Sequence, residues 1–206
     1  MNKIENIIFD FGGVLYNIDV ERSMNTFKTL GFNFSEHKNE ILQVFIDLEI
    51  GKISPTDFVI KLQRLSDTIS EKDILDAFNL ILIGIDPGKV EVLRKIKDKY
   101  RIYLLSNTNE IHYGVFSNEI NNNELTTDFY SLFEKEYYSH EMGMRKPDLS
   151  IFQYVLTNSK LEASKTLFVD DSFENITAAS SLGIQTFWIE NADSWNKLTS
   201  LLNIKL

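Results

Sequence analysis

The sequence predicts an α/β fold, an open parallel sheet flanked by helices and interrupted early by an all-helical insertion. Three observations lead there. Four apolar runs of strand length alternate with helical patterns. Those runs are almost continuously hydrophobic, as strands covered on both faces are. Residues 18–87 keep a helical period without a convincing strand.

The four runs are "IIFDF" (7–11), "RIYLLS" (101–106), "TLFVDD" (166–171) and "QTFWI" (185–189). Each is rich in β-branched or aromatic residues. Of the helical patterns between them, "PGKVEVLRKIKDKY" precedes the second run, while "DLSIFQYVLTNS" and "FENITAASSLG" flank the third, the last stopped by Gly183. The insertion carries four more patterns, "VERSMNTFKTLG", "KNEILQVFIDLEIG", "SPTDFVIKLQRL" and "SEKDILDAFNLILIG". Ser54 before Pro55 and Ser70 before Glu71 have the chemistry of helix starts. Placed directly after the first strand, the insertion lies over that strand's carboxyl end and serves as a cap. The expected division is a sheet core of residues 1–17 and 88–206 and a cap of 18–87. "SNEINNNELTTD" (117–128) reads as a solvated loop.

Composition narrows the partners. The chain has 206 residues, 43% of them hydrophobic, enough to bury a sizeable core. Twenty-one basic against thirty acidic side chains leave a formal charge of −9, which argues against nucleic acid or an anionic membrane as partner. With no cysteine, neither a disulfide nor a thiolate nucleophile is available. The longest apolar run, "LILIGI" (80–85), is far short of the ~20 residues that cross a bilayer. The start of the chain lacks a signal-peptide pattern, so a cytoplasmic location is expected. Nothing in the pattern sets an oligomeric state.

In open parallel sheets ligands sit at the carboxyl ends of the strands, and three runs end there in Asp10, Ser106 and the pair Asp170, Asp171. Each feature alone has an ordinary explanation: a turn at Asp10, a helix cap at Ser106 and Asn107, a solvated lysine at Lys146. The aspartate doublet is different, because adjacent carboxylates at the end of a buried strand repel unless a cation or protons relieve them. Together these residues supply an attacking carboxylate, hydroxyl and amide donors for a phosphoryl oxygen, a cationic partner, and hard oxygen ligands for Mg²⁺. That set is suited to phosphoryl transfer. Octahedral Mg²⁺ needs only one or two protein carboxylates, which Asp10 and Asp171 can provide.

The segments "FDFGGVL", "LLSNTN", "GMRKPD" and "FVDDSFEN" resemble, in order and context, the four motifs of the haloacid dehalogenase-like (HAD) hydrolase superfamily. The resemblance spans essentially the whole chain. Within it, "LSNTN" followed by His112, "GMRKP" and a cap containing "EIGKIS" resemble bacterial sugar-phosphate phosphatases of the α-D-glucose-1-phosphate type. The resemblance implies a Rossmann-like core and a small phosphorylated metabolite as partner. It further implies that Asp10 is a nucleophile forming a phosphoaspartyl intermediate, and that Ser106, Asn107 and Lys146 hold the phosphoryl group. Asp10, the backbone carbonyl of Gly12 and Asp171 would bind Mg²⁺, supported by Asp170 and Asn175.

One departure matters. Most phosphatases of this superfamily carry a second aspartate two residues after the nucleophile, to protonate the leaving oxygen and then activate water; here that position is Gly12. Its carbonyl can still meet a metal, but its proton-shuttling role is gone. General acid catalysis contributes typically about 100- to 10,000-fold, roughly 3 to 5 kcal/mol, against ~20 kcal/mol or more of barrier lowering in phosphate monoester hydrolysis. The expectation is therefore a working enzyme, slower or more selective, and biased toward esters such as sugar 1-phosphates whose hemiacetal leaving group needs less protonation. Asp19, Glu49 and His112 are the candidate substitutes. Each also has a structural reading, as a turn at the cap entry, a solvated helix face and a surface helix residue respectively.

Two other functions fit part of the pattern. A metal-independent dehalogenase on the same scaffold would leave the Asp170, Asp171 pair without a purpose. A non-catalytic phosphate-binding or regulatory module would explain Gly12. The three histidines lack metalloprotease spacing, and no P-loop, dinucleotide fingerprint or G-x-S-x-G elbow is present.

Overall fold

The computed structural model describes residues 3–33, 36–66 and 69–205. The chain runs β1 (Asn6–Phe9), β2 (Tyr16–Ile18), α1 (Val20–Thr29), α2 (Lys38–Glu49), α3 (Pro55–Gln63), α4 (Glu71–Asn79), β3 (Leu82–Ile85), α5 (Pro87–Lys97) and β4 (Arg101–Ser106). It continues through α6 (Glu110–Asn122), β5 (Lys135–Tyr138), α7 (Ser139–Met142), α8 (Leu149–Asn158), β6 (Thr166–Asp170), α9 (Phe173–Ser181), β7 (Gln185–Trp188) and α10 (Ser194–Leu201). Five strands form one parallel sheet in the order β5-β4-β1-β6-β7. All four predicted runs are in it.

The sheet is buried on both sides because alternate residues of its strands face different layers. Ile7, Phe9, Leu104 and Val169 join Phe116 and Phe129 on one face. Ile8, Tyr103, Leu105 and Phe168 join Phe152 and Val155 on the other. Each such side chain contributes roughly 1.5–3 kcal/mol by leaving water, so the central strand β1 is fixed in register and the position of Asp10 with it.

Helices α1 to α4 share a third apolar cluster built on Phe27, Ile41, Leu48, Phe58, Leu62 and Ile74. Ser54 and Ser70 start α3 and α4 as expected, each in a reciprocal capping box with Asp57 or Asp73.

Two local expectations are corrected, and one strand is added. The insertion is not wholly helical, since Leu82–Ile85 forms β3, antiparallel to β2. A short apolar run such as "LILIGI" does not distinguish strand from helix by period, and here pairing with Tyr16–Ile18 decides. Glu119 of α6 grips both strands, accepting from the Tyr16 hydroxyl and, at 3.0 Å, from the Ile85 N–H. Residues 117–122, expected in a loop, are the last turns of α6. There Ile120, fully buried one turn after Phe116, anchors an otherwise polar stretch. Strand β5, "KEYY", went unread because it is a short edge strand with an exposed polar start.

Candidate active site

The three predicted strand ends converge. Asp10 continues the β1 ladder, its N–H donating to the Val169 carbonyl at 2.9 Å. Across the edge, the Lys146 ammonium donates to Asp10 Oδ1 at 2.5 Å, Asp170 Oδ2 at 2.8 Å and the Leu105 carbonyl at 2.9 Å. Lys146 is 1% exposed, and a charge so buried is tolerable only when fully paired. Burial works to lower its pKa, but Asp10 and Asp170 outweigh it and hold the ammonium above its usual range. Burial pushes the Asp10 carboxyl upward, with Asp170 and Asp171 adding to the effect and Lys146 opposing it.

Asp170 is fully buried and fully engaged. Oδ1 accepts from the Ser172 N–H at 2.7 Å and Asn175 Nδ2 at 3.0 Å, while Oδ2 accepts from Lys146 and from Asn175 Nδ2 at 3.1 Å. Two donors per oxygen match the lone pairs a carboxylate offers. Asn107 is similarly tied: Nδ2 donates to the Lys146 carbonyl at 2.8 Å and Oδ1 accepts from the Lys146 N–H at 2.9 Å. Ser106, buried at the end of β4, lines the same cavity as Asp10, Gly12 and Lys146.

Asp171 stands beside this group with an exposed flank. Carboxylate oxygens of Asp10, Asp170 and Asp171 all lie within 4.8 Å of one another. Burial and the neighbouring Asp170 raise the Asp171 carboxyl, with Lys146 opposing. Gly13 lets the loop approach, because at φ +80° a Cβ would lie 2.1 Å from Asp171 Oδ2. Crowded hard oxygens around so tight a turn fit a small divalent cation such as Mg²⁺.

A cavity of about 330 Å³ opens over Asp10. Its floor is polar, whereas Val20, Met24, Phe45 and Phe78 of the helical insertion form an apolar roof. Of the three candidate substitutes for the missing acid, Asp19 caps α1, accepting from the Arg22 N–H at 2.9 Å, and does not line the cavity. His112 does, and it is buried, not on the surface. Its Nδ1 meets Asn109 Nδ2 at 3.1 Å, its Nε2 meets the Phe78 carbonyl at 3.2 Å, and its ring stacks on Phe78 at 4.1 Å. Burial lowers its pKa to about 4, with the Phe78 carbonyl opposing. Glu49, at the end of α2, also lines the cavity, and Arg145 Nε donates to its Oε2 at 2.9 Å.

Sequence reasoning passed over two residues. Arg145 had a signal, its position beside Lys146 in "GMRKPD". Trp188, whose Nε1 donates to the Asp171 carbonyl at 2.9 Å and so steadies that loop, had none, since the contact crosses two strands.

A family model described as haloacid dehalogenase-like hydrolase matches residues 4–183. A D-ribitol-5-phosphate phosphatase of Bacteroides thetaiotaomicron is 32% identical over 97% of this chain and 99% of its own length. A HAD family enzyme of the same organism, solved in complex with magnesium and inorganic phosphate, superimposes with a TM-score of 0.81 at 36% identity, over 95% of this chain and 98% of the other. A predicted HAD-like family hydrolase of Porphyromonas gingivalis gives a TM-score of 0.83 at 32% identity, over 98% of this chain and 99% of the other.

Proposed function

Because the chain belongs to the haloacid dehalogenase-like hydrolase family, we propose that it is a Mg²⁺-dependent phosphatase of a small sugar or sugar-alcohol phosphate, working through a phosphoaspartyl intermediate on Asp10. The observation that carries this reading is the Lys146 ammonium bridging Asp10 and Asp170 on the floor of the cavity. A cation so placed favours the ionised form of the attacking carboxylate against its burial and faces the incoming phosphoryl oxygens.

Asp10, the Gly12 carbonyl and Asp171 would hold the metal. Asp170, whose oxygens are already engaged, would orient Lys146 and the loop around it. Bound there, Mg²⁺ would neutralise charge on the phosphoryl oxygens. Ser106 and Lys146 would bind those oxygens, with Asn107 setting the height of Lys146. Asp10 Oδ attacks phosphorus and the ester oxygen departs toward the roof. Water then arrives along the same line, releasing phosphate and restoring the carboxylate. The apolar roof limits access of bulk water meanwhile.

The division into a core of 1–17 and 88–206 and a cap of 18–87 is part of this proposal. It is supported by the separate apolar cluster of α1 to α4, with the β2–β3 pair at the junction. The ribitol-phosphate phosphatase relative supports a polyol ester. The resemblance to glucose-1-phosphate phosphatases supports an anomeric one.

The test is phosphate release from a panel including glucose 1-phosphate, glucose 6-phosphate and ribitol 5-phosphate, with Mg²⁺, with EDTA, and with Asp10→Asn. Activity that needs Mg²⁺ and falls by several orders of magnitude in Asp10→Asn is expected. Full activity in EDTA or in that variant refutes the reading.

A further inference from the structure

Hydrolysis by this route needs a proton for the leaving oxygen, and Gly12 cannot give one. The described ionisable residues lining the cavity are Asp10, Tyr16, Glu49, His112 and Lys146. Four of them are committed elsewhere. Asp10 is the nucleophile of the proposed reaction, and Lys146 is held by two carboxylates and a carbonyl. The Tyr16 hydroxyl donates to Glu119, and burial reinforced by that contact pushes its ionisation well up. Both ring nitrogens of His112 are hydrogen bonded.

Glu49 is left. It sits in the roof, held by Arg145 through Oε2, with no hydrogen bond to Oε1 among the described residues. Its side chain keeps 29% of its surface accessible. The position is fixed from the core side as well, because Gly51, two residues on, approaches so closely that a Cβ there would lie 2.2 Å from the His140 carbonyl.

Resting on the phosphatase reading above, we propose that Glu49 is the catalytic acid and base that replaces the side chain missing at Gly12. In the first step the bond from Asp10 oxygen to phosphorus forms, the phosphorus–ester oxygen bond breaks, and the Glu49 proton passes to the leaving alkoxide, giving an alcohol. In the second, the Glu49 carboxylate takes a proton from water as its oxygen bonds to phosphorus. The Asp10–phosphorus bond then breaks, and inorganic phosphate leaves. One group can serve both steps because the leaving oxygen and the incoming water occupy the same apical side, opposite Asp10. Asp10 and Glu49 line the same cavity, which gives that side of the phosphoryl group access to the Glu49 carboxyl. Burial raises the Glu49 carboxyl, against Arg145 and Lys146, and a bound phosphate dianion raises it further.

The test compares kcat/KM for an alkyl ester, ribitol 5-phosphate, with that for p-nitrophenyl phosphate, whose leaving group needs no proton. In Glu49→Gln the alkyl ester is expected to lose about 100-fold or more, while the aryl ester changes little. The double variant Glu49→Gln with Gly12→Asp should regain much of the loss, because a Cβ at position 12 meets nothing nearer than the Ile18 side chain at 3.6 Å. Equal loss on both esters, no loss on either, or no gain in the double variant overturns the assignment. Should Glu49→Gln fail to fold, the intact protein still decides. Its kcat/KM across esters of graded leaving-group pKa should vary weakly, and a steep dependence refutes proton donation. A protein that hydrolyses none of these esters would instead defeat the phosphatase reading itself.

Discussion

Asn107 and Lys146 hold each other at two points, the Asn107 amide donating to the Lys146 carbonyl at 2.8 Å and accepting from the Lys146 N–H at 2.9 Å. The side chain expected to grip phosphate thus also braces the loop that carries the lysine, and this changes what its removal should do. Asn107→Ala leaves a buried backbone donor and acceptor to find new partners, costing about 1–3 kcal/mol. It also loosens Lys146 from its two carboxylates. Turnover should fall more than substrate affinity does, because a misplaced cation is felt most in the transition state. Steady-state kinetics with parallel urea unfolding measure both, and unchanged kcat would show that the brace is dispensable.

Lys146→Met keeps the length of the chain and removes the charge. Asp10 and Asp170 then face each other, buried, without a cation. Breaking a buried pair from one side costs about 3–5 kcal/mol, part of it recovered when one carboxyl takes up a proton. The variant should therefore be inactive at neutral pH and regain more stability than the native protein as pH falls, because burial raises the Asp10 carboxyl even with the lysine present. Denaturant midpoints at several pH values check this, and a parallel pH dependence in the two proteins would contradict it.

Gly13→Ala tests the cradle around Asp171. The backbone at φ +80° and a Cβ at 2.1 Å from Asp171 Oδ2 leave no room for a methyl group. The loop must shift, at a cost of about 1 kcal/mol or more. If Asp171 is a metal ligand, the Mg²⁺ concentration giving half activity should rise along with the loss of stability. A metal titration in which that concentration stays at the native value would detach Asp171 from the metal.

His112 should make stability pH-dependent. Its pKa is lowered from 6.5 to about 4 by burial, so between those values the unfolded chain binds a proton that the native protein does not. Stability is complete above the unfolded value and is lost as pH falls toward 4, by about 3 kcal/mol in all. His112→Gln keeps hydrogen-bonding groups near Asn109 and Phe78 but cannot titrate. The difference in stability between native and variant should shrink on acidification, and a constant difference across that window would refute the assignment.

The parallel sheet, the helices over it and the aspartates, serine and lysine at its edge were legible because each depends on local pattern: an apolar run, a polar strand end, a capping serine. Ser54 and Ser70 show it best, since a side chain and the N–H three residues later are brought together by the helix itself. Strands β2, β3 and β5 were not legible. Their residues become strand only through neighbours supplied by distant segments, as Leu82–Ile85 does against Tyr16–Ile18 and Glu119. Asn107 was visible as a site residue, but its partner was not, because that hydrogen bond spans 39 positions.

By itself the sequence determined the class of fold, the order of the chemical groups and the absence of an acid at Gly12, since composition and period are properties of short stretches. Only the tertiary structure decided which groups remain available. His112 and Glu49 read alike along the chain, but folding engages both nitrogens of one with Asn109 and Phe78 and, among the described residues, leaves one oxygen of the other without a hydrogen bond at the cavity. That division arises from burial and from partners far away in sequence, which no local pattern encodes.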